Sequence, residues 1–228
     1  MPTFSTFNTF GSASNEVGQS HVPVWLDFVG PVPVGGTLNK AYARSGFYLG
    51  AGAPVNLTDK IITPLLVWEV VSFTAGDGST VTTDSIVVKP VGGVAPAVDD
   101  FIQKVGASFS ATGKAAKVAS VELLDSGNYE VKVAHTATID SVSAGDAIAL
   151  SSATAAGSSK SLAVQPNGYL YNDIYFGDLD GNADDYTIAA TGAVVMYHHG
   201  GLLVELTPSA PVKAQMKAAV PGVLQVLV

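Results

Sequence analysis

The sequence predicts a mainly β chain: a β-sandwich or barrel framework with an inserted small β-barrel module and one short C-terminal helix. Three observations carry that expectation. Apolar runs are short and broken by Pro23, Pro31, Pro33, Gly35-Gly36, Gly50 and Pro54, a punctuation that prevents long helices. Alternation with period two recurs, most clearly where Tyr129, Val131 and Val133 alternate with Glu130 and Lys132. Turn chemistry separates the runs, at Gly76-Asp77-Gly78 and again at Asp125-Ser126-Gly127-Asn128.

Residues 1–21 are expected to form an extended arm. Phe4, Phe7 and Phe10 recur every three residues among Ser, Thr and Asn, which fits neither a strand nor a sustained helix. Aromatics on such an arm leave water only by docking, so these three side chains are expected either to plug a partner or neighbouring subunit, or to fold back on their own domain.

Residues 22–65 read as short strands and turns. Gly50-Ala51-Gly52-Ala53-Pro54-Val55 is a glycine-rich corner leading into a strand, and no Gly-Lys-Ser/Thr follows to make it a phosphate loop. Strand signals are strongest in residues 66–151, read as an inserted β module. There Trp68 to Thr74 and Ser85 to Lys89 form one hairpin, and Val118 to Leu124 with Tyr129 to Val133 form another. Each is followed by a similar piece, Ala97-Val98-Asp99-Asp100-Phe101-Ile102 and Ala144-Gly145-Asp146-Ala147-Ile148, which suggests an internal duplication with a spacing of roughly 46 to 47 residues.

Residues 152–161, rich in Ser, Ala and Gly, are expected to be a linker or a long loop back to the framework. Residues 162–228 return to the framework. Within them Ala193 to Tyr197 and Leu202 to Leu206 read as a hairpin around His198-His199-Gly200-Gly201. A helix is predicted over about Ala210 to Ala219, with Ser209 as its cap, Pro211 in its first turn and Pro221-Gly222 at its end, before a last strand from Val223 to Val228.

Composition narrows the function classes. The 228 residues carry a net charge of −8, and their eleven basic residues are spread thinly from Lys40 to Lys217, so no cluster stands ready to neutralise a run of phosphates and nucleic acid is not an expected partner. No apolar run approaches the ~20 residues of a membrane span. Met1-Pro2-Thr3-Phe4 lacks the positive charge and apolar block of a secretory signal, so synthesis in a cytoplasm is expected. Cysteine is absent, which removes disulfides, thiolate nucleophiles and Cys-ligated metals. Charged residues make up 13% of the chain, against about 25–35% for soluble surfaces, so buried subunit interfaces are expected.

The sequence carries no Gly-x-Ser-x-Gly and no His-Glu-x-x-His motif. His198 and His199 would point to opposite faces of a strand, which suits one metal ion poorly. Glutamate is limited to Glu16, Glu69, Glu122, Glu130 and Glu205, several of them at solvent-facing strand positions, so no enzymatic activity is expected. The best metal candidate is Asp178, Asp180, Asn182 and Asp184, whose alternating oxygens around Gly181 are what Ca²⁺ requires. The glycine comes two places early for an EF-hand loop and Ala189 stands where its bidentate Glu belongs, so an acidic surface turn without a cofactor is the preferred reading.

Asn167-Gly168-Tyr169-Leu170-Tyr171-Asn172-Asp173-Ile174, Gly192-Ala193-Val194-Val195-Met196-Tyr197 and the ending Val212 to Val223 together resemble head fibre proteins of tailed bacteriophages, including those of crAss-like gut phages. The early Gly52-Ala53-Pro54-Val55 resembles the same family's strand opening. The resemblance covers about half the chain and implies a homo-oligomeric, dimeric or trimeric head fibre or capsid decoration protein. It would stand on the outer capsid surface, bound to the major or an auxiliary capsid protein, with a β-rich tip for adhesion to host-surface glycans. On that reading Phe4, Phe7 and Phe10 are the favoured capsid anchor. Two alternatives remain: a phage tail or baseplate component, and a carbohydrate-binding β-sandwich with Trp25, Tyr48, Tyr169, Tyr171, Tyr175 and Tyr197 on a shallow face.

Overall fold

The structure, a computed structural model, describes residues 25–28, 37–42, 48–49, 52–90, 94–135, 139–170, 174–175, 195–196, 200–203, 210–220 and 223–226. The chain divides into two compact units: Met1–Pro64 with Asn167–Thr207 and Lys217–Val228, and Leu65–Pro166 with Pro208–Met216.

The first unit begins with β1 (Trp25–Phe28), β2 (Thr37–Leu38), β3 (Tyr48–Leu49), β4 (Pro54–Thr58) and β5 (Ile61–Pro64). The second holds β6 (Val67–Thr74), β7 (Thr83–Pro90), β8 (Phe101–Lys104), β9 (Gly113–Leu123), β10 (Tyr129–Ala134), β11 (Ala147–Leu150) and β12 (Ser159–Lys160). The first unit resumes with β13 (Gly168–Leu170), β14 (Ile174–Tyr175), β15 (Val195–Met196) and β16 (Gly200–Leu203). After them come α1 (Ala210–Ala219), which starts in the second unit, and β17 (Val223–Val226). The chain is thus mainly β with one short helix near its C-terminus among the described residues.

Six strands of the second unit close into an antiparallel barrel in the order β6-β7-β10-β9-β8-β11 and back to β6. Period-two alternation fills its interior: Trp68 and Val70, Ile86 and Val88, Ile102, Val118, Val131 and Val133, and Ile148 are all buried. The Trp68 indole N–H, which burial would otherwise leave unpaired, donates to the Val94 carbonyl at 2.7 Å.

The barrel is built from two copies of a three-strand unit, β6-β7-β8 and β9-β10-β11. Exchanging each strand for its counterpart leaves the ring order unchanged, which is a pseudo-two-fold. The detail repeats as well. Each hairpin carries a bulge one residue long, Val71 against β7 and Ala119 against β10. Asp100 Oδ2 accepts from the Ala97 N–H at 2.8 Å, and Asp146 Oδ2 from the Ser143 N–H at 2.7 Å. The residue before each aspartate has positive φ, Asp99 at 72° and Gly145 at 85°. The Val105 N–H donates to the Ala147 carbonyl and the Ser151 N–H to the Phe101 carbonyl, both at 2.8 Å.

Residues 152–161 form a loop that hydrogen-bonds to the barrel. β12 pairs with β9, the Ala115 N–H donates to the Ser158 carbonyl, and the Ser151 hydroxyl bonds the buried Gln103 amide.

Among the described residues the first unit holds three sheets: β1-β16-β17, β15-β13-β4-β5-β2 and β14-β3. The described parts of the expected hairpin, Ala193 to Tyr197 with Leu202 to Leu206, take other partners. β15 pairs with β13, whereas β16 pairs with β1 and, in parallel, with β17. The β4–β5 turn places Asp59 at φ 52° and Lys60 at φ 64°, a two-residue primed turn that follows the twist of its strands.

β4 also receives both stems of the barrel. Val55 pairs with Pro64 of β5 on one side and with Gly168 of β13 on the other. The second unit therefore leaves and rejoins this sheet through strands two spacings apart, roughly 9–10 Å. Of the two glycine-containing motifs noted in the sequence, Gly52 to Val55 and Asn167 to Leu170, each is the other's strand partner: the Leu170 N–H donates to the Ala53 carbonyl and the Gly52 N–H to the Leu170 carbonyl, both at 2.8 Å.

Candidate functional site

One end of the barrel gathers polar groups that the rest of its interior lacks. On β7 the inward phase runs Asp84, Ile86, Val88, so the alternation places a carboxylate among apolar side chains. Asp84 is 3% exposed. Burial of that charge is tolerated because it has partners: the Gly76 N–H donates to Asp84 Oδ1 at 2.9 Å, and His135 Nδ1 lies 2.6 Å from the same oxygen. A carboxylate oxygen only accepts, so against it Nδ1 is the donor. His135 follows β10 and is anchored by its own N–H to the Thr82 carbonyl at 2.9 Å.

Between β6 and β7 the loop 75–82 arches over this pair. Asp77 organises it from within, its Oδ1 accepting the N–H groups of Val81 at 2.8 Å, Ser79 at 2.8 Å and Thr80 at 2.7 Å. These three donors, Val81 first, hold the Asp77 carboxyl down at about 2. The Asp77 and Gly78 N–H groups each reach back to the Val81 carbonyl at 3.1 Å. Gly78 has φ 72°, a conformation that favours glycine, and a Cβ there would stand 3.2 Å from His135 Cδ2, close enough that the imidazole would have to shift by a few tenths of an ångström. The exposed run from Asp77 to Thr82 is small and polar apart from Val81, and its backbone is fixed before any partner arrives.

The second feature is the stem at Asn167. Its N–H donates to the Val55 carbonyl at 3.0 Å, its Oδ1 accepts the Leu57 N–H at 2.8 Å, and its Nδ2 donates to the Leu57 carbonyl at 3.0 Å. A single residue thereby ties the C-terminal stem of the inserted unit to β4.

Comparison with protein-family models, with curated proteins and with solved structures finds no match for this chain.

The residues singled out by sequence fall unevenly against this geometry. Phe4, Phe7 and Phe10, the acidic set Asp178, Asp180, Asn182 and Asp184, and His198 and His199 lie outside the described residues. Of the six aromatics of the carbohydrate-binding alternative, Tyr169 is 1% exposed and cannot line a surface face, Tyr48 pairs with Tyr175 across β3 and β14, Trp25 lies on β1, and Tyr171 and Tyr197 lie outside the described residues. Asp84 and His135 are not singled out by the sequence reading, and Gly76-Asp77-Gly78 is read there as a turn alone. The signal was present in the phase of β7, where an aspartate occupies a position whose neighbours at i+2 and i+4 are Ile86 and Val88.

Proposed function

We propose that this chain is a structural virion protein, a head fibre or decoration protein on the outer capsid surface of a tailed phage, with its barrel serving as a display module. The observation that supports this reading best is the construction of the insert. A closed, apolar-filled barrel is spliced into another sheet through the two strands that flank β4, and its polar end carries a loop stiffened by Asp77 and the Asp84–His135 pair. Closure abolishes the strand edges that would otherwise invite uncontrolled pairing on a crowded particle. A preorganised loop of small polar side chains loses little entropy on contact, which suits weak adhesion to polyhydroxyl host glycans multiplied by copy number.

The role is non-catalytic, and the partners are further copies of the chain, as dimer or trimer, together with a major or auxiliary capsid protein. The protein is made in the host cytoplasm and acts on the virion. The test is labelling of intact particles of the encoding phage with an antibody raised against the loop 75–82. Decoration around the head supports the reading; decoration of the tail alone moves the chain to the tail or baseplate, and no decoration of particles that contain the chain removes the display role.

A further inference from the structure

Asn167-Gly168 is the one Asn-Gly step in the sequence. Such a step loses its side-chain amide more readily than other asparagines, because a glycine nitrogen approaches the neighbouring carboxamide without a Cβ in the way. Here the carboxamide is not free to be approached. Its oxygen and its nitrogen are both engaged by the backbone of one residue, Leu57, through its N–H and its carbonyl, so its plane is fixed across the strand pair and it cannot swing towards the Gly168 nitrogen.

We propose that Asn167-Gly168 is a conformation-gated modification site, at which water replaces the side-chain amide by way of a succinimide, and that the paired bonds to Leu57 hold the gate shut in the folded chain. When the stem opens, the Gly168 nitrogen gives up its proton and bonds to Asn167 Cγ. The Cγ–Nδ2 bond breaks, and Nδ2 departs with that proton as ammonia. Water then adds to either succinimide carbonyl and breaks that carbonyl's bond to the Gly168 nitrogen, leaving aspartate or isoaspartate.

Neither product restores the stem. An aspartate at 167 still accepts from the Leu57 N–H but has no hydrogen to give the Leu57 carbonyl, and it sets a charged oxygen against that carbonyl. Isoaspartate places an extra carbon in the main chain ahead of Gly168, so the Gly168–Val55 and Tyr169–Pro54 pairings cannot be kept together with the contact to Leu57. Opening of this stem is therefore recorded covalently and in one direction, independently of any role on a particle.

The test compares the full chain folded and in urea at the same mildly alkaline pH, with peptide mapping by mass spectrometry and an isoaspartate-specific assay. The proposal expects conversion at Asn167 to be on the order of tenfold or more slower in the folded chain, the ratio reporting how rarely the stem opens. Equal rates in the two states would show that the bonds to Leu57 guard nothing. Asn167→Gln, whose longer side chain disfavours the five-membered ring, is expected to abolish the signal in urea, and its persistence would overturn the assignment to this residue. Asn167→Asp, the direct product, is expected to melt below the parent; an unchanged midpoint would overturn the claim that the modification weakens the stem.

Discussion

Asn167 grips the backbone of Leu57 at both ends, accepting its N–H at 2.8 Å and donating to its carbonyl at 3.0 Å. The carboxamide thereby imitates one more residue of strand, extending the β4 ladder one step before β13 begins. Truncation to Asn167→Ala strands a half-buried donor and acceptor on β4 and is expected to cost about 1–3 kcal/mol. Denaturant titration of the purified chain measures it, and a loss within error of zero would mean that water replaces the amide without penalty.

The buried Asp84 carboxylate depends on His135. Removing the ring by His135→Ala leaves the Gly76 N–H as the remaining partner of Oδ1 in the present geometry and is expected to destabilise the barrel by about 2 kcal/mol. Asp84→Val together with His135→Leu removes donor and acceptor at once beside Val133 and should cost less than the two single changes added. A double-mutant cycle gives the coupling directly, and additive costs would show that the two side chains do not depend on each other.

Much of the barrel was legible in the sequence, because its hairpins and Asp turns repeat at a fixed interval and each copy alternates with period two. What sequence pattern could not supply was strand partnership. Val195–Met196 and Gly200–Leu203 read as a hairpin by proximity, yet their hydrogen bonds go to β13 and to β1 and β17, all distant in sequence. Residues 152–161 show the same limit: Ser, Ala and Gly mark a linker or long loop, but not that its end, Ser159–Lys160, pairs with β9. Asp84 was hidden because a single inward carboxylate resembles a strand boundary until its histidine partner, 51 positions away, is placed beside it.

The two copies of the Asp turn predict mutations of opposite sign. Gly145 at φ 85° has nothing within 4 Å of an added Cβ, so Gly145→Ala tests backbone strain alone and is expected to cost about 1 kcal/mol. Asp99, its counterpart at φ 72°, already bears that strain, and Asp99→Gly is expected to be neutral or stabilising despite the loss of an exposed ion pair to Lys117. Thermal midpoints of the two variants moving in the same direction would contradict the equivalence of the turns.

Because Asp77 is held down at about 2 in the folded chain against 3.8 for a free aspartate, its contribution is present above the unfolded value and is lost as pH falls through the folded one. Hydrogen-exchange protection of the Ser79, Thr80 and Val81 amides, corrected for intrinsic rates, should therefore hold at neutral pH and decline as the carboxyl is titrated towards 2. Asp77→Ala should lack that protection at every pH. Protection unaffected by the substitution would mean that the loop is not organised by this side chain.

The most direct test of the proposed role is the solution mass of the intact 23.2 kDa chain, measured by light scattering at several concentrations with and without a chelator. A virion display protein of the kind proposed gives a stable dimer or trimer whose mass is indifferent to the chelator. A monomer at every concentration would contradict it and leave a lone binding or cement module in its place.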